Sequence, residues 1–195
     1  DEQLEEPQVP NNGDGNNDGI NDSEQSHVTN YLNQVTTSYN VMAINKGVNN
    51  QIRSFKSVPE TDVGNDEQYV YPMGLYEFTI DLDKPGDTAD VTVYTDQVYD
   101  TNTWEYRKYY GSDKGFTDIS SEVTYGTTFN GEQEVTTISY SSVDGGPLDE
   151  DGEVNGSIID PAGPALRNQK VTPPNTGSRP VNLLLYGLIF MIGSG

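Results

Sequence analysis

Apolar residues in the middle of this chain recur at every second position. Tyr76, Phe78, Ile80 and Leu82 alternate with Glu77, Thr79 and Asp81. Successive side chains of an extended chain point to opposite sides, so this spacing predicts a strand with one buried face. Val91 and Val93 repeat the pattern between Asp90, Thr92 and Thr95, and Ile138 and Tyr140 repeat it beside Thr137 and Ser139. Further strands are expected over 38–44, 51–58, 103–109, 123–129 and 156–159, and one short helical turn within 22–35. Turn formers separate the strands: Lys84-Pro85-Gly86-Asp87, Gly111-Ser112-Asp113-Lys114-Gly115, and Asn130-Gly131. Asn130-Gly131 between Thr-rich runs predicts a tight hairpin, because both residues accept positive φ. Many short strands without a long amphipathic helix predict an all-β chain, an antiparallel β-sandwich.

Ahead of the strands, oxygen-bearing side chains alternate and then meet a glycine, in the run Asp14-Gly15-Asn16-Asn17-Asp18-Gly19-Ile20-Asn21-Asp22-Ser23-Glu24-Gln25. A hard divalent cation such as calcium takes six to eight oxygens at about 2.4 Å. A loop supplies them from side chains at relative positions one, three, five and nine and a main-chain carbonyl at seven, with glycine at six. Here these are Asp14, Asn16, Asp18, Asp22, the carbonyl of Ile20, and Gly19. Position twelve departs from the pattern: Gln25 stands where a bidentate Glu is expected, with Glu24 one place early, so a weaker or differently closed site is expected. The competing reading is an acidic, Asn/Gly-rich linker. The loop resembles the calcium repeats of thrombospondin type 3 and the dockerin-like loops of secreted bacterial proteins. That resemblance implies calcium binding that stiffens a connection, with no catalytic role.

A second acidic bend holds Asp149, Asp151 and Asn155 around a glycine-containing turn, with Asp144 and Asp160 as candidate added ligands. These side chains either converge on a second cation or cap turn amides. Across all 195 residues, 31 acidic side chains face 10 basic ones, a net charge of -21. Such a surface repels phosphate and anionic membranes and favours calcium, a cationic polymer or a basic protein. Nucleic acid is therefore not an expected partner. A hydrophobic content of 32% suits one modest core with extensions, and the absence of cysteine excludes disulfides, zinc–thiolate sites and a cysteine nucleophile.

The stretch from Tyr71-Pro72-Met73-Gly74-Leu75 to Ile80, followed by Pro85-Gly86 and the strand 89–94, resembles the choice-of-anchor U domain of bacterial surface proteins. So does the later block Val143-Asp144-Gly145-Gly146, Asp149, Asp151-Gly152, Asn155-Gly156 and Ile159-Asp160-Pro161-Ala162-Gly163-Pro164. The likeness spans roughly 14–165, with 28–67 and Tyr106-Arg107-Lys108-Tyr109 matching loosely. It implies a secreted, non-catalytic β module carried beside varied C-terminal anchors.

At the C-terminal end, Pro173-Pro174-Asn175-Thr176-Gly177 precedes Arg179 and an apolar run over 181–192. This looks like a sortase sorting signal, cut between Thr176 and Gly177, with Pro173 in place of the usual leucine. The run is shorter than the ~20 residues that span a bilayer. It is read either as a truncated anchor to the cell wall or membrane or as a strand packed on the sandwich or donated to another copy. The expected organisation is thus a disordered segment 1–13, a calcium loop 14–25, a sandwich 26–165, a linker 166–180 and a hydrophobic segment 181–195.

Catalysis has little to stand on. His27 is the lone histidine and no nucleophile elbow accompanies it. The Trp104 and Tyr106 cluster, with Tyr109 and Tyr110, offers a carbohydrate-stacking platform, although alternating aromatics more often pack a sheet face. The sequence therefore predicts a non-enzymatic, calcium-stabilised module on the bacterial cell surface, serving in adhesion or spacing, with a glycan or another surface protein as partner. The alternatives are a carbohydrate-binding domain and a self-assembling filament subunit.

Overall fold

The computed structural model describes residues 9–45 and 49–168. In chain order its strands are β1 (Val28–Leu32), β2 (Tyr39–Ile44), β3 (Gln51–Val58), β4 (Tyr69–Val70), β5 (Leu75–Asp81), β6 (Thr88–Tyr94), β7 (Trp104–Tyr109), β8 (Phe116–Asp118), β9 (Thr124–Phe129), β10 (Glu134–Val143) and β11 (Ser157–Arg167). One sheet has the order β1-β2-β6-β10-β9; the other runs β3-β5-β11-β7-β8, with β4 added against β11. All of these pairings are antiparallel. This is the all-β sandwich that the two-residue alternation predicts.

The core lies between the sheets. Met42, Val91, Val93, Ile138 and Tyr140 face Phe55, Tyr76, Phe78, Ile80, Trp104, Tyr106 and Ile158. A smaller cluster of Tyr69, Tyr71, Leu75 and Ala165 covers the outer face of the second sheet. Strand β11 is consequently buried on both faces over Asp160–Ala165.

That double burial explains how a strand can carry Pro161, Gly163 and Pro164. A proline needs a place where no ladder bond is lost. The Ile159 N–H donates to Asp149 Oδ1 at 3.0 Å rather than to β5, so by strand parity the Pro161 nitrogen faces the same way, where the β7 ladder begins only at Ala162. The Pro164 nitrogen faces the opposite edge, at the gap between the β5 ladder, which ends at Ala162, and the β4 ladder, which starts at Leu166. Chain residues 71–74 fill that gap, and a Cβ on Gly163 would lie 2.4 Å from the Gly74 carbonyl oxygen.

Several local expectations change. The segment 22–35 holds the expected helical turn, a 3-10 turn at Asp22–Glu24, but then continues as strand β1, because pairing with β2 buries Val28. The hairpin at Asn130-Gly131 is a longer turn: only Gly131 takes positive φ (97°), while Asn130 Oδ1 accepts from the amides of Glu132 and Gln133 at 3.0 and 2.9 Å. Residues Pro10–Gly13, assigned from sequence to a disordered segment, form a 3-10 turn against that hairpin, where the Asn11 N–H donates to Glu132 Oε1 at 2.7 Å. Residues 1–8, the Thr176-Gly177 motif and the apolar run 181–192 lie outside the described residues.

Two glycine substitutions separate close packing from backbone conformation. Gly163→Ala forces a Cβ into backbone on a neighbouring segment and is expected to cost about 3 kcal/mol by urea unfolding. Gly19→Ala meets nothing within 4 Å and has only its positive φ of 86° to contend with, so it is expected to cost about 1 kcal/mol.

Candidate functional site

The N-terminal loop is folded around its own amides. Asp14 accepts from the N–H groups of Asp18 and Gly19, both at 2.9 Å. Asp18 accepts from Ile20 N–H at 2.9 Å and from the Asn16 side-chain amide at 3.0 Å. Burial works against ionisation of Asp18, but the donors from Asn16, Ile20 and Gln25 outweigh it and hold its pKa below the ordinary value. Asp22 differs. It is 2% exposed, its Oδ2 accepts from Gly15 N–H at 3.1 Å and Asn30 Nδ2 at 3.3 Å, and its Oδ1 is buried with no partner. Burial raises its pKa against those two donors, and the charges of Asp14 and Asp18 raise it further.

The closing contact is made by Gln25. Its Nε2 donates to both carboxylate oxygens of Asp18 at 3.1 Å and to the Ile20 carbonyl at 3.2 Å. Loop positions five, seven and twelve therefore meet, with the positive end of an amide dipole where their oxygens converge. Rotating the carboxamides of Asn16 and Gln25 by 180° would offer oxygens at the same places. Glu24, the expected substitute for the twelfth ligand, is exposed and takes no part in this closure. Among the described residues no three His, Cys, Asp or Glu side chains gather closely enough to hold a metal unaided. A cation here would draw on the mixed set of carboxylates, carboxamides and the Ile20 carbonyl, and the unpartnered Asp22 Oδ1 fits such a demand.

The second acidic bend has the geometry of turn caps. Asp144, 2% exposed, accepts from Gly86, Gly156 and Asn155 N–H groups at 2.6, 2.9 and 3.2 Å. Asp149 accepts from Gly145 and Ile159 at 2.9 and 3.0 Å. Asp151 accepts from Glu153 N–H at 2.8 Å and Asn155 Nδ2 at 3.0 Å. Each carboxylate oxygen of Asp144, Asp149 and Asp151 has a donor, which is the turn-capping arrangement of the two read from the sequence. Asp160 has left the bend altogether and is fully buried.

Its partner is Lys108, also fully buried. Lys108 Nζ donates to Asp160 Oδ1 and, at 3.4 Å, to the Ile159 carbonyl. Tyr140, from the facing sheet, donates its hydroxyl to Asp160 Oδ2. The sequence reading passed over this group. The available signal was parity: Lys108 continues the inward series Trp104, Tyr106.

Trp104 and Tyr106 are core residues, which corrects the carbohydrate-platform reading. Trp104 packs between Tyr99 and Tyr125, with ring centroids at 5.4 and 5.7 Å, and Tyr106 packs on Tyr140 at 5.7 Å. Their exposures of 9% and 0% leave no face for a sugar. Comparison with family models, with curated proteins and with solved structures gave no match.

The caps generate a pH-dependent prediction. Burial opposes ionisation of Asp144, but its backbone donors outweigh that and hold its pKa below the usual value. A depressed folded-state pKa contributes stability above the unfolded value of about 3.9, and that contribution is lost as pH falls through the folded value. Asp144→Asn is therefore expected to lower unfolding free energy by about 2 kcal/mol at pH 7. Urea titrations of the two proteins should converge as pH drops below that window.

Proposed function

We propose that this chain is a non-enzymatic module of the bacterial cell surface, a β-sandwich whose N-terminal loop takes calcium and thereby holds the entry to the first sheet rigid. One observation carries the reading: Asp22 Oδ1 is buried without a partner, on a carboxyl whose pKa the charges of Asp14 and Asp18 push up further. An orphaned buried carboxylate oxygen costs stability unless a proton or cation meets it. The loop's position supports a stiffening role. Gly15 lies against Val41 of β2, and Asn30 of β1 holds Asp22, so ordering the loop orders the edge of a sheet.

Surface location is supported by the sequence: the likeness to the choice-of-anchor U domain and the Thr176-Gly177 motif. In this proposal the carboxyl end joins the cell wall or membrane, and the module spaces or presents whatever adhesive partner it carries.

Thermal unfolding of chelator-stripped protein tests the calcium part. A ligand bound only by the folded state at one hundred times its Kd adds about 2.7 kcal/mol, or roughly 5–10 °C in midpoint for a domain of this size. That rise is expected with calcium and should disappear in Asp18→Ala. An unchanged midpoint together with no heat of binding would sink the proposal. Asp22→Asn offers a sign test: it should match or exceed the wild type by a few degrees in chelator, where it removes a buried charge, and fall below it in calcium.

A further inference from the structure

We propose that Lys108 Nζ and Asp160 Cγ join in an intramolecular amide bond, a covalent tie between the neighbouring strands β7 and β11. The two residues sit on the same inward face of adjacent strands: Lys108 pairs in register with Ala162, and Asp160 is two residues away on the same side of β11. Both are 0% exposed, whereas the other ion pairs among the described residues all keep contact with solvent. The amine and the carboxyl are already in contact, and the surrounding strands hold them there. Fixed proximity of this kind replaces a bimolecular encounter and lowers the barrier accordingly.

The chemistry balances without any other reactant. One proton can pass from Nζ to Oδ1 across their contact, leaving an amine beside a carboxylic acid. Burial pushes the Asp160 carboxyl up even against the attraction of Lys108. The Lys108 nitrogen lone pair attacks Asp160 Cγ and a C–N bond forms. The developing negative charge falls on Oδ2, where the Tyr140 hydroxyl already donates, as a donor in an oxyanion hole does. Oδ1, which faces Lys108, takes two protons that began on the ammonium. The Cγ–Oδ1 bond breaks and one water leaves. Charge is conserved, since a cation and an anion become a neutral amide, and nothing is oxidised or reduced.

The surroundings favour the product. Loss of water from a site closed to solvent is not readily reversed, and the amide ends the cost of burying two charges. Tyr106, fully buried, packs on Tyr140 with ring centroids 5.7 Å apart. Glu150 is in the same electrostatic neighbourhood: burial raises its carboxyl, Lys108 opposes the rise and Asp160 adds to it. In a chain without cysteine, the bond would close a long segment of the sandwich as a disulfide does elsewhere.

Mass spectrometry of the full-length protein tests the inference, with peptide mapping to fix the ends. The folded protein is expected to be about 18 Da lighter than its sequence, the mass of one water, and digestion should release one branched peptide containing Lys108 and Asp160. Asp160→Asn should instead lose about 17 Da, as ammonia becomes the leaving group. Tyr140→Phe should leave a measurable unjoined fraction that declines on incubation, because its oxyanion donor is gone. Lys108→Met must show the full sequence mass if it folds. Wild-type protein that is folded by circular dichroism, incubated for days and still at its full mass, with Lys108 cleaved normally by trypsin, would overturn the proposal whatever the variants do.

Discussion

A backbone amide buried in a bend must find an acceptor, and leaving one unmet costs about 1–3 kcal/mol. This chain meets that constraint with Asp and Asn. Asp144 serves three amides, Asp149 two and Asp14 two. Asn33 serves those of Val35 and Thr36 in the turn between β1 and β2. Acidic clustering that reads in the sequence as a cation trap is thus, in large part, the means by which long connections fold without regular structure. The two acidic bends differ in one respect. In the second, every oxygen of the three capping carboxylates has a donor; in the first, Asp22 keeps one that does not.

The same accounting separates the two kinds of buried charge. Asp144 and Asp149 are held by backbone dipoles at the margin of the core, whereas Lys108 and Asp160 face each other inside it with Tyr140 as the remaining donor. An ion pair withdrawn this far is weak support for a fold as long as it remains ionic. Its position matters all the same, since it joins the strand at the centre of the second sheet to the strand beside it.

Much of the sandwich was legible because alternation reports burial directly. The strands around Tyr76 to Ile80, Val91 and Val93, and Ile138 and Tyr140 each have one wet and one dry face. The pattern fails where that condition fails. Strand β11 is dry on both sides and broken by prolines, so its signal stops near Ile159 although the strand continues to Arg167. The short strands β4 and β8 have too few residues to show a period. Strand β1 showed no two-residue period because its residues after Val28 are all half-buried, although Val28, Thr29 and Tyr31 favour a strand. Trp104 and Tyr106 were visible as aromatics, but only the facing sheet decides that they are covered. Spacing located the metal-like loop. It did not distinguish Glu24 from Gln25 as its closure, which depends on how the 3-10 turn at Asp22–Glu24 orients the following side chain.

Strand β11 comes last among the described strands, yet it stands in the middle of its sheet, bonded to β5 and β4 on one side and to β7 on the other. Within that sheet, among the described strands, β11 alone bonds the β3–β5 pair to the β7–β8 pair. Half of the sandwich must therefore wait for residues that leave the ribosome late.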